Sequence, residues 1–177
     1  HVLYDEIGSN VLPKSYANEL REARVEILDF HTRKGPGNRF QINFRNHRKI
    51  VVVDGHTAWV GGHNVGDEYM GRDPEFGHWR DTHVKMTGPS VLSVQLSFLE
   101  DWYWATEKTP EFHWDPHIVT EQGAEVLIYP TGPADRLESA TLMFMTGINA
   151  AKKRLWIASP YFVPDEQLMS ALQLAAL

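Results

Sequence analysis

The segment from Asn43 to Asp54 constrains the fold of this chain more than any other. Its centre, Ile50 to Val53, is β-branched, and it runs directly into Asp54-Gly55. Asp-Gly between runs of strand-forming residues is a strong signal for a tight β-hairpin turn. We therefore predict a strand that turns at Asp54, followed by a return strand that leads into Gly61 and Gly62.

The strand would place an imidazole and an ammonium on one face of the sheet. His47 and Lys49 are two residues apart, and successive strand side chains alternate between faces. A two-residue turn predicts that His47 lies opposite Gly62 and that Asn64 lies diagonal to it, roughly 7–8 Å away. Because Gly62 has no side chain, we expect room for a bulky group beside His47. This arrangement has the shape of an anion pocket.

These side chains fit the chemistry of a phosphodiester. A neutral imidazole can attack phosphorus, while a lysine and an asparagine amide can hold the non-bridging oxygens. The chain has a net charge of −6, yet no acidic residue lies between Phe30 and Val53. That stretch contains Arg33, Lys34, Arg39, Arg45, Arg48 and Lys49. The local positive charge favours an anionic ligand.

This chemistry requires neither a metal nor another cofactor, so we predict none. The alternative is a zinc site built from His47, His63, Asp81 and His83. The predicted register places His63 and His47 on opposite faces of the hairpin, which counts against shared ligation of one ion.

The complete spacing of the motif is more specific than a His-x-Lys pair, which on a strand is usually solvated surface. The chain reads His-x-Lys-x-x-x-x-Asp, followed by Gly-Gly-x-Asn, at positions His47, Lys49, Asp54, Gly61, Gly62 and Asn64. This pattern resembles one copy of the signature of the phospholipase D superfamily. That resemblance implies an α/β fold with a mixed sheet flanked by helices.

Flanking segments resemble bacterial cardiolipin synthases in particular, and the resemblance runs from about Val2 to the last residue. The segments are Arg45-Asn-His-Arg-Lys-Ile-Val-Val-Val-Asp-Gly55, Gly61-Gly-His-Asn-Val-Gly-Asp-Glu-Tyr69, Trp79-Arg-Asp-Thr-His83 and Ser159-Pro-Tyr-Phe-Val-Pro-Asp-Glu166. The resemblance implies a phosphatidyl transferase that makes cardiolipin from two phosphatidylglycerol molecules through a phosphohistidine. A phospholipase D-type hydrolase, or a non-catalytic half that binds phosphate and needs a partner half, remains an alternative.

The resemblance also implies a role for each site residue. His47 would form the phosphohistidine or protonate the leaving alcohol, and Lys49 and Asn64 would bind phosphate beside Gly62. Asp81 would hold the other ring nitrogen of His47, which fixes the tautomer and stabilises the imidazolium. Asp54 belongs to the signature, but its place at the turn suggests a structural role.

The expected partners follow from the same resemblance. They are an anionic phospholipid, phosphatidylglycerol, and a second motif-bearing half from the same protein or from a homodimer partner. We expect a bacterial cell-membrane location, peripheral or anchored by segments outside this chain, which has no apolar run long enough to span a bilayer and should itself be soluble. We expect no nucleic-acid partner, because an acidic chain without an extended basic groove suits a polyanion poorly.

The order of elements predicts two halves. Residues 1–108 would be the C-terminal part of a first phospholipase D-like half, 109–123 a linker with two prolines, and 124–177 the start of a second half. Both ends fall inside predicted elements, which suggests an excised segment. Further predicted strands are His1 to Asp5, Val25 to Phe30, Trp79 to Met86 (with Asp81), Glu125 to Tyr129 and Leu155 to Ser159. Predicted helices are Ser15 to Arg24, Pro89 to Glu107, Ser139 to Lys153 and one from Pro164.

The helix from Pro89 to Glu107 carries four aromatic residues near its end, Phe98, Trp102, Tyr103 and Trp104. They could form a membrane-interface cluster, but a wide apolar stripe at helical spacing favours packing in the core.

The chain contains one copy of the complete motif. The resemblance implies a site built from two such motifs that face each other. A monomer of residues 1–177 should therefore lack either the nucleophile or the general acid and show no turnover.

Overall fold

A computed structural model describes residues 1–30, 45–118, 123–133, 135–159 and 161–177. The chain divides into two compact units, His1–Pro130 and Thr131–Leu177. The basic residues Arg33, Lys34 and Arg39, which contribute to the predicted positive charge, lie outside the described residues, as does the start of the predicted motif strand at Asn43.

The first unit begins with a parallel pair of short strands. β1 (Val2–Tyr4) pairs with β2 (Ile27–Asp29), and helix α1 (Lys14–Glu22) lies between them in the chain. Parallel neighbours need a crossover connection, which α1 supplies here. The predicted helix and both predicted strands are thus confirmed, although the strands are shorter than expected.

The motif hairpin forms the second sheet of the first unit. Strands β3 (Ile50–Val53), β4 (Thr57–Gly61) and β5 (His83–Thr87) are antiparallel and lie in that order. The predicted turn is confirmed: Asp54 and Gly55 have φ values of 55° and 70°, and the His56 amide donates to the Val53 carbonyl at 3.0 Å. Positive φ at both central residues is what a type I′ turn requires.

The predicted register of the hairpin is wrong by one residue. Val53 pairs with Thr57, so His56 remains in the loop instead of pairing with Val53. A bulge-like extra residue shifts every later pair by one position. The ladder also starts later than predicted, at Ile50, so His47 and Lys49 precede the strand.

Helix α2 (Ser90–Thr106) packs on this second sheet. Ala58, Val91 and Val94 are the buried centre of the contact, and Ile50 and Val52 pack against them. Val51 and Val53 point to the other, exposed face of the strand. The alternation of faces along β3 is therefore observed.

The aromatic residues of α2 divide between core and surface. Trp102 is 1% exposed, whereas Tyr103 and Trp104 are 54% and 48% exposed. The core prediction is confirmed for Trp102 and wrong for Tyr103 and Trp104. Phe98 is half-buried and its ring stacks on that of Trp102. The buried side of the helix includes Val91, Val94 and Trp102, and Tyr103 and Trp104 lie outside it.

The second unit consists of two helices. α3 covers Ser139–Ala150 and α4 covers Glu166–Ala175, where the Asp165 side chain accepts a hydrogen bond from the Leu168 amide at 2.8 Å. This aspartate is the N-cap of α4, which satisfies one of the free amides at the helix start. Both predicted helices are confirmed.

The two strands predicted after residue 124 are wrong. Residues 125–129 and 155–159 form no strand. A strand needs a neighbour for its backbone N–H and C=O groups, and neither segment pairs with another part of the described chain. Leu127 and Trp156 are 78% and 85% exposed there.

The architecture is mixed α/β, as predicted. The described residues contain four α-helices and two small sheets, where we expected one sheet. None of the helices in the described part is long and apolar enough to cross a membrane.

Candidate phosphate-binding site

The residues that carry the predicted chemistry lie in a short irregular segment, Arg45 to Lys49, just before β3. His47 is exposed and Lys49 is half-buried. The Lys49 ammonium donates to the His47 carbonyl oxygen at 2.7 Å. This bond ties the ammonium to the backbone of the histidine, and the Lys49 charge acts on the imidazole, although neither residue is part of the ladder.

A carboxylate from the end of β1 holds one side of this segment. Asp5 accepts bonds from Nε and Nη2 of Arg45, both at 3.3 Å, and from the Asn46 backbone amide at 3.1 Å. It also accepts a bond from the Gly8 amide. The Asp5 side chain is only 11% exposed. Charge-assisted bonds at a shielded position are stronger than exposed ones, so Asp5 anchors the backbone immediately before His47.

A second carboxylate, from α2, holds the other side. Asp101 accepts a bond from the Asn46 side-chain amide at 2.8 Å and forms an ion pair with Arg48. Its side chain is 13% exposed. Sequence reasoning missed both Asp5 and Asp101, because each lies 40 or more positions from its partner and no local pattern links them.

The surroundings of His47 favour its neutral form. Burial lowers the pKa of His47 from its ordinary value of 6.5, and the positive charges of Lys49 and Arg45 lower it further, while Asp5 acts in the opposite direction. A pKa below 6.5 leaves the imidazole neutral at neutral pH. The ring therefore has a lone pair available for attack on phosphorus.

The pKa of Lys49 is also lowered, chiefly by burial. The Arg45 charge adds to this effect, and Asp5 and Asp81 oppose it. Two carboxylates from different parts of the unit thus act on the lysine that the motif assigns to phosphate.

The space beside Gly62 is filled by Asp81. A Cβ at Gly62 would collide with the Asp81 carboxylate. The open room expected there for an approaching group is therefore absent, and that prediction is wrong. The absence of a side chain at Gly62 instead lets the carboxylate lie close to the backbone.

Asp81 is fixed by bonds to its own neighbours. It accepts a bond from the Trp79 indole nitrogen at 3.2 Å and one from the Thr82 amide at 2.7 Å, and the Trp79 bond in particular lowers the pKa of its carboxyl. Asp81 lies two residues before β5, not within it as predicted, because Trp79 to Thr82 pair with no strand. Among the described residues no hydrogen bond joins Asp81 to His47, so its contact with the imidazole remains a prediction.

Asn64 belongs to a small aromatic cluster that the sequence did not reveal. Its side-chain amide donates to the Tyr69 hydroxyl. The Tyr69 and Trp79 rings meet edge to face with centroids 4.9 Å apart, and Phe76 lies 6.0 Å from Trp79. Tyr69 and Trp79 therefore bond to one predicted site residue each, Asn64 and Asp81, and pack against each other.

Asp54 lies in the hairpin turn with φ 55°. Aspartate tolerates this left-handed region better than most residues. The position is that of a turn residue, as predicted from the sequence, and Gly55 beside it closes the turn.

The other histidines of the described segments form no group that suits a metal. His63 bonds to the carbonyls of Asn64 and Tyr69, and its ring lies 6.2 Å from that of His83. No group of three potential metal ligands occurs within the described residues. His83 and Lys85 form a second His-x-Lys pair, but the aspartate of the motif is replaced by Ser90 there, and Lys85 lies over the Trp59 ring.

Comparison with known proteins gives close relatives along the whole chain. The chain is 54% identical over 177 residues to cardiolipin synthase A of Pseudomonas fluorescens, which is 100% of this chain and 37% of the relative. It is 53% identical over 176 residues to cardiolipin synthase A of Pseudomonas putida, covering 99% of this chain and 36% of the relative. No family model matches, and no solved structure matches.

The chain spans a little over a third of the length of these relatives, 37% and 36% for the two named. Identity above one half across the whole chain leaves little room for a chance match. The chain therefore resembles bacterial cardiolipin synthase from its first residue to its last.

Proposed function

We propose that the protein to which this chain corresponds is a phosphatidyl transferase that makes cardiolipin from two molecules of phosphatidylglycerol. The similarity to cardiolipin synthase A, 54% identity over all 177 residues, is the observation that carries this proposal. The same residues contain the complete phosphodiester-transfer motif, and the Lys49 ammonium bonds to the backbone carbonyl of His47.

The reaction would take place in two displacements. In the first, a neutral imidazole attacks the phosphorus of one phosphatidylglycerol. An N–P bond forms, the P–O bond to the head-group glycerol breaks, and the glycerol oxygen takes a proton from a general acid. In the second, a hydroxyl of another phosphatidylglycerol attacks phosphorus, the N–P bond breaks, and the hydroxyl proton returns to the acid. The products are cardiolipin and glycerol.

The surroundings of His47 support its assignment as the nucleophile in this scheme. Its lowered pKa keeps the ring unprotonated, as attack requires. Lys49 and Asn64 would stabilise the negative charge on the non-bridging oxygens as the pentacoordinate arrangement forms. Asp81, kept ionised by Trp79 and Thr82, would stabilise the phosphohistidine or the imidazolium.

The site would be completed by a second motif. The complete motif occurs once in these 177 residues, so the general acid would come from another part of the same protein or from a second copy. Because the proposed substrates are anionic lipids, the reaction would take place at the membrane surface.

Product analysis on the complete protein tests this function. With phosphatidylglycerol vesicles in excess chelator we expect equal amounts of cardiolipin and glycerol. Phosphatidic acid in place of cardiolipin would identify a hydrolase, and activity that needs a divalent ion would rule out the metal-independent mechanism. Residues 1–177 alone should form no cardiolipin; formation at the rate of the complete protein would show that one motif is enough.

A further inference from the structure

Two shielded carboxylates hold the motif segment, and they bind it in different ways. Among the described residues, Asp101 accepts bonds from two side chains, those of Asn46 and Arg48. Asp5 accepts a bond from the Asn46 backbone amide, one peptide before His47, as well as from the Arg45 side chain. Within the described part of the chain, Asp5 is thus the one of the two carboxylates that bonds directly to the main chain entering the histidine.

We propose that Asp5 is a positioning residue of the site: it fixes the backbone that leads into His47 and balances the positive charges of Arg45 and Lys49 around the imidazole. This inference rests on the proposed function. Asp101, in contrast, would act as a structural anchor that leaves the charge at His47 unaffected.

The charges around the motif support this division. The charged groups that act on His47 are Lys49 and Arg45, which are positive, and Asp5, which is negative. The same Asp5 acts on Lys49, together with Arg45 and Asp81. Asp101 is not among these groups. Asp5 pairs with Arg45, which is one of these cations, whereas Asp101 pairs with Arg48, which is not.

Pairing with Asp5 also decides which cation remains for the substrate. A phosphodiester carries a single negative charge, and a strongly bound second cation would stabilise the bound ground state as much as the transition state. With Arg45 neutralised by Asp5, Lys49 supplies the positive charge next to His47. Removal of the Asp5 charge would leave two uncompensated cations beside the imidazole.

Two variants that break the same ion pair provide a sharp test, since they should have opposite effects. Asp5→Asn removes the negative charge, so the pKa of His47 should fall and the acid limb of the pH–rate profile should move to lower pH. Arg45→Gln removes a positive charge, so the pKa should rise and the limb should move to higher pH. A purely structural ion pair would give shifts of the same sign or none.

Asp101→Asn is the matched control. It removes a carboxylate of similar exposure that is also paired with an arginine of the motif segment. The acid limb of its pH–rate profile should stay at the wild-type pH even if its rate falls. In Asp5→Asn, KM for phosphatidylglycerol should fall together with kcat, because the additional net positive charge holds the ground state more tightly.

The decisive measurement is an NMR titration of the His47 ring in the complete protein, compared between the wild type and the three variants. Opposite shifts for Asp5→Asn and Arg45→Gln, with none for Asp101→Asn, are expected. Shifts of the same sign, or equal shifts in Asp5→Asn and Asp101→Asn, would overturn the role of Asp5. Thermal unfolding shows whether Asp5→Asn folds. If it does not, Arg45→Gln serves alone, and a His47 pKa that does not rise in that variant overturns the proposed role of Asp5.

The titration is independent of turnover. If His47 titrates with the expected shifts while the protein forms no cardiolipin, the proposed function fails and the charge balance stands. If cardiolipin is formed but the shifts are absent, the inference about Asp5 fails and the proposed function stands.

Discussion

The motif segment and the hairpin that follows it are adjacent in the chain but are stabilised in different ways. Ile50 to Gly61 is held by a backbone ladder and by the core that α2 forms with it. Arg45 to Lys49 is outside the ladder and is held by the carboxylates of Asp5 and Asp101. The regular region supplies a rigid frame, while the irregular one carries the exposed His47 and the half-buried Lys49. Stability and chemistry should therefore respond to different substitutions.

The largest effect on stability should come from the most buried aromatic residue of α2, the helix that packs on the regular region. Trp102→Ala removes a side chain that is 1% exposed, and should lower the free energy of unfolding by about 3–5 kcal/mol. Urea unfolding measures this change. Tyr103→Ala, at a neighbouring position that is 54% exposed, is the control and should change it by about 0.5 kcal/mol or less. Equal costs at the two positions would contradict the observed packing of α2.

Substitutions in the motif region should affect the reaction rate strongly and the stability only weakly. Lys49→Ala and Asn64→Ala should each raise the barrier to reaction by about 2.7–4 kcal/mol, because each removes one donor to the charged transition state. Their unfolding free energies should change far less. Steady-state kinetics on the complete protein measures the loss.

Lys85→Ala is the control for Lys49, since it removes a lysine from the other His-x-Lys pair. It should leave the rate close to that of the wild type. A comparable rate loss in Lys85→Ala would show that general positive charge matters and not the position of Lys49.

A smaller effect should follow from the aromatic cluster. Tyr69→Phe deletes the hydroxyl that accepts from Asn64 but keeps the ring packed against Trp79. Loss of one hydrogen bond should cost about 0.5–1.5 kcal/mol in transition-state stabilisation. Tyr103→Phe is the control. An unchanged rate in Tyr69→Phe would show that Asn64 holds its position without the hydroxyl.

Local sequence signals predicted the elements well where the signal and its partner lie close together. The Asp54-Gly55 turn, α1, α2, α3 and α4 were found from turn chemistry, helix start signals and apolar periodicity. The hairpin register was missed because His56 remains in the loop, and a dipeptide signal does not reveal one additional loop residue.

Features that depend on distant partners were not predictable in the same way. Residues 125–129 and 155–159 have the composition of strands, but composition cannot show that a neighbouring strand is at hand. Asp5 and Asp101 are ordinary acidic residues in the sequence, and only the fold brings them to the motif. The motif spacing identified His47 and Lys49, yet it gave no information on the groups that hold them.

The account depends most on His47. The direct test is His47→Ala in the complete protein, with phosphatidylglycerol vesicles, quantitative cardiolipin analysis and His117→Ala as a control. We predict no detectable cardiolipin from His47→Ala and a near-wild-type amount from His117→Ala, with both variants folded, because no other side chain can replace the imidazole at phosphorus or at the leaving oxygen. Near-wild-type turnover by His47→Ala would contradict the assignment of the site.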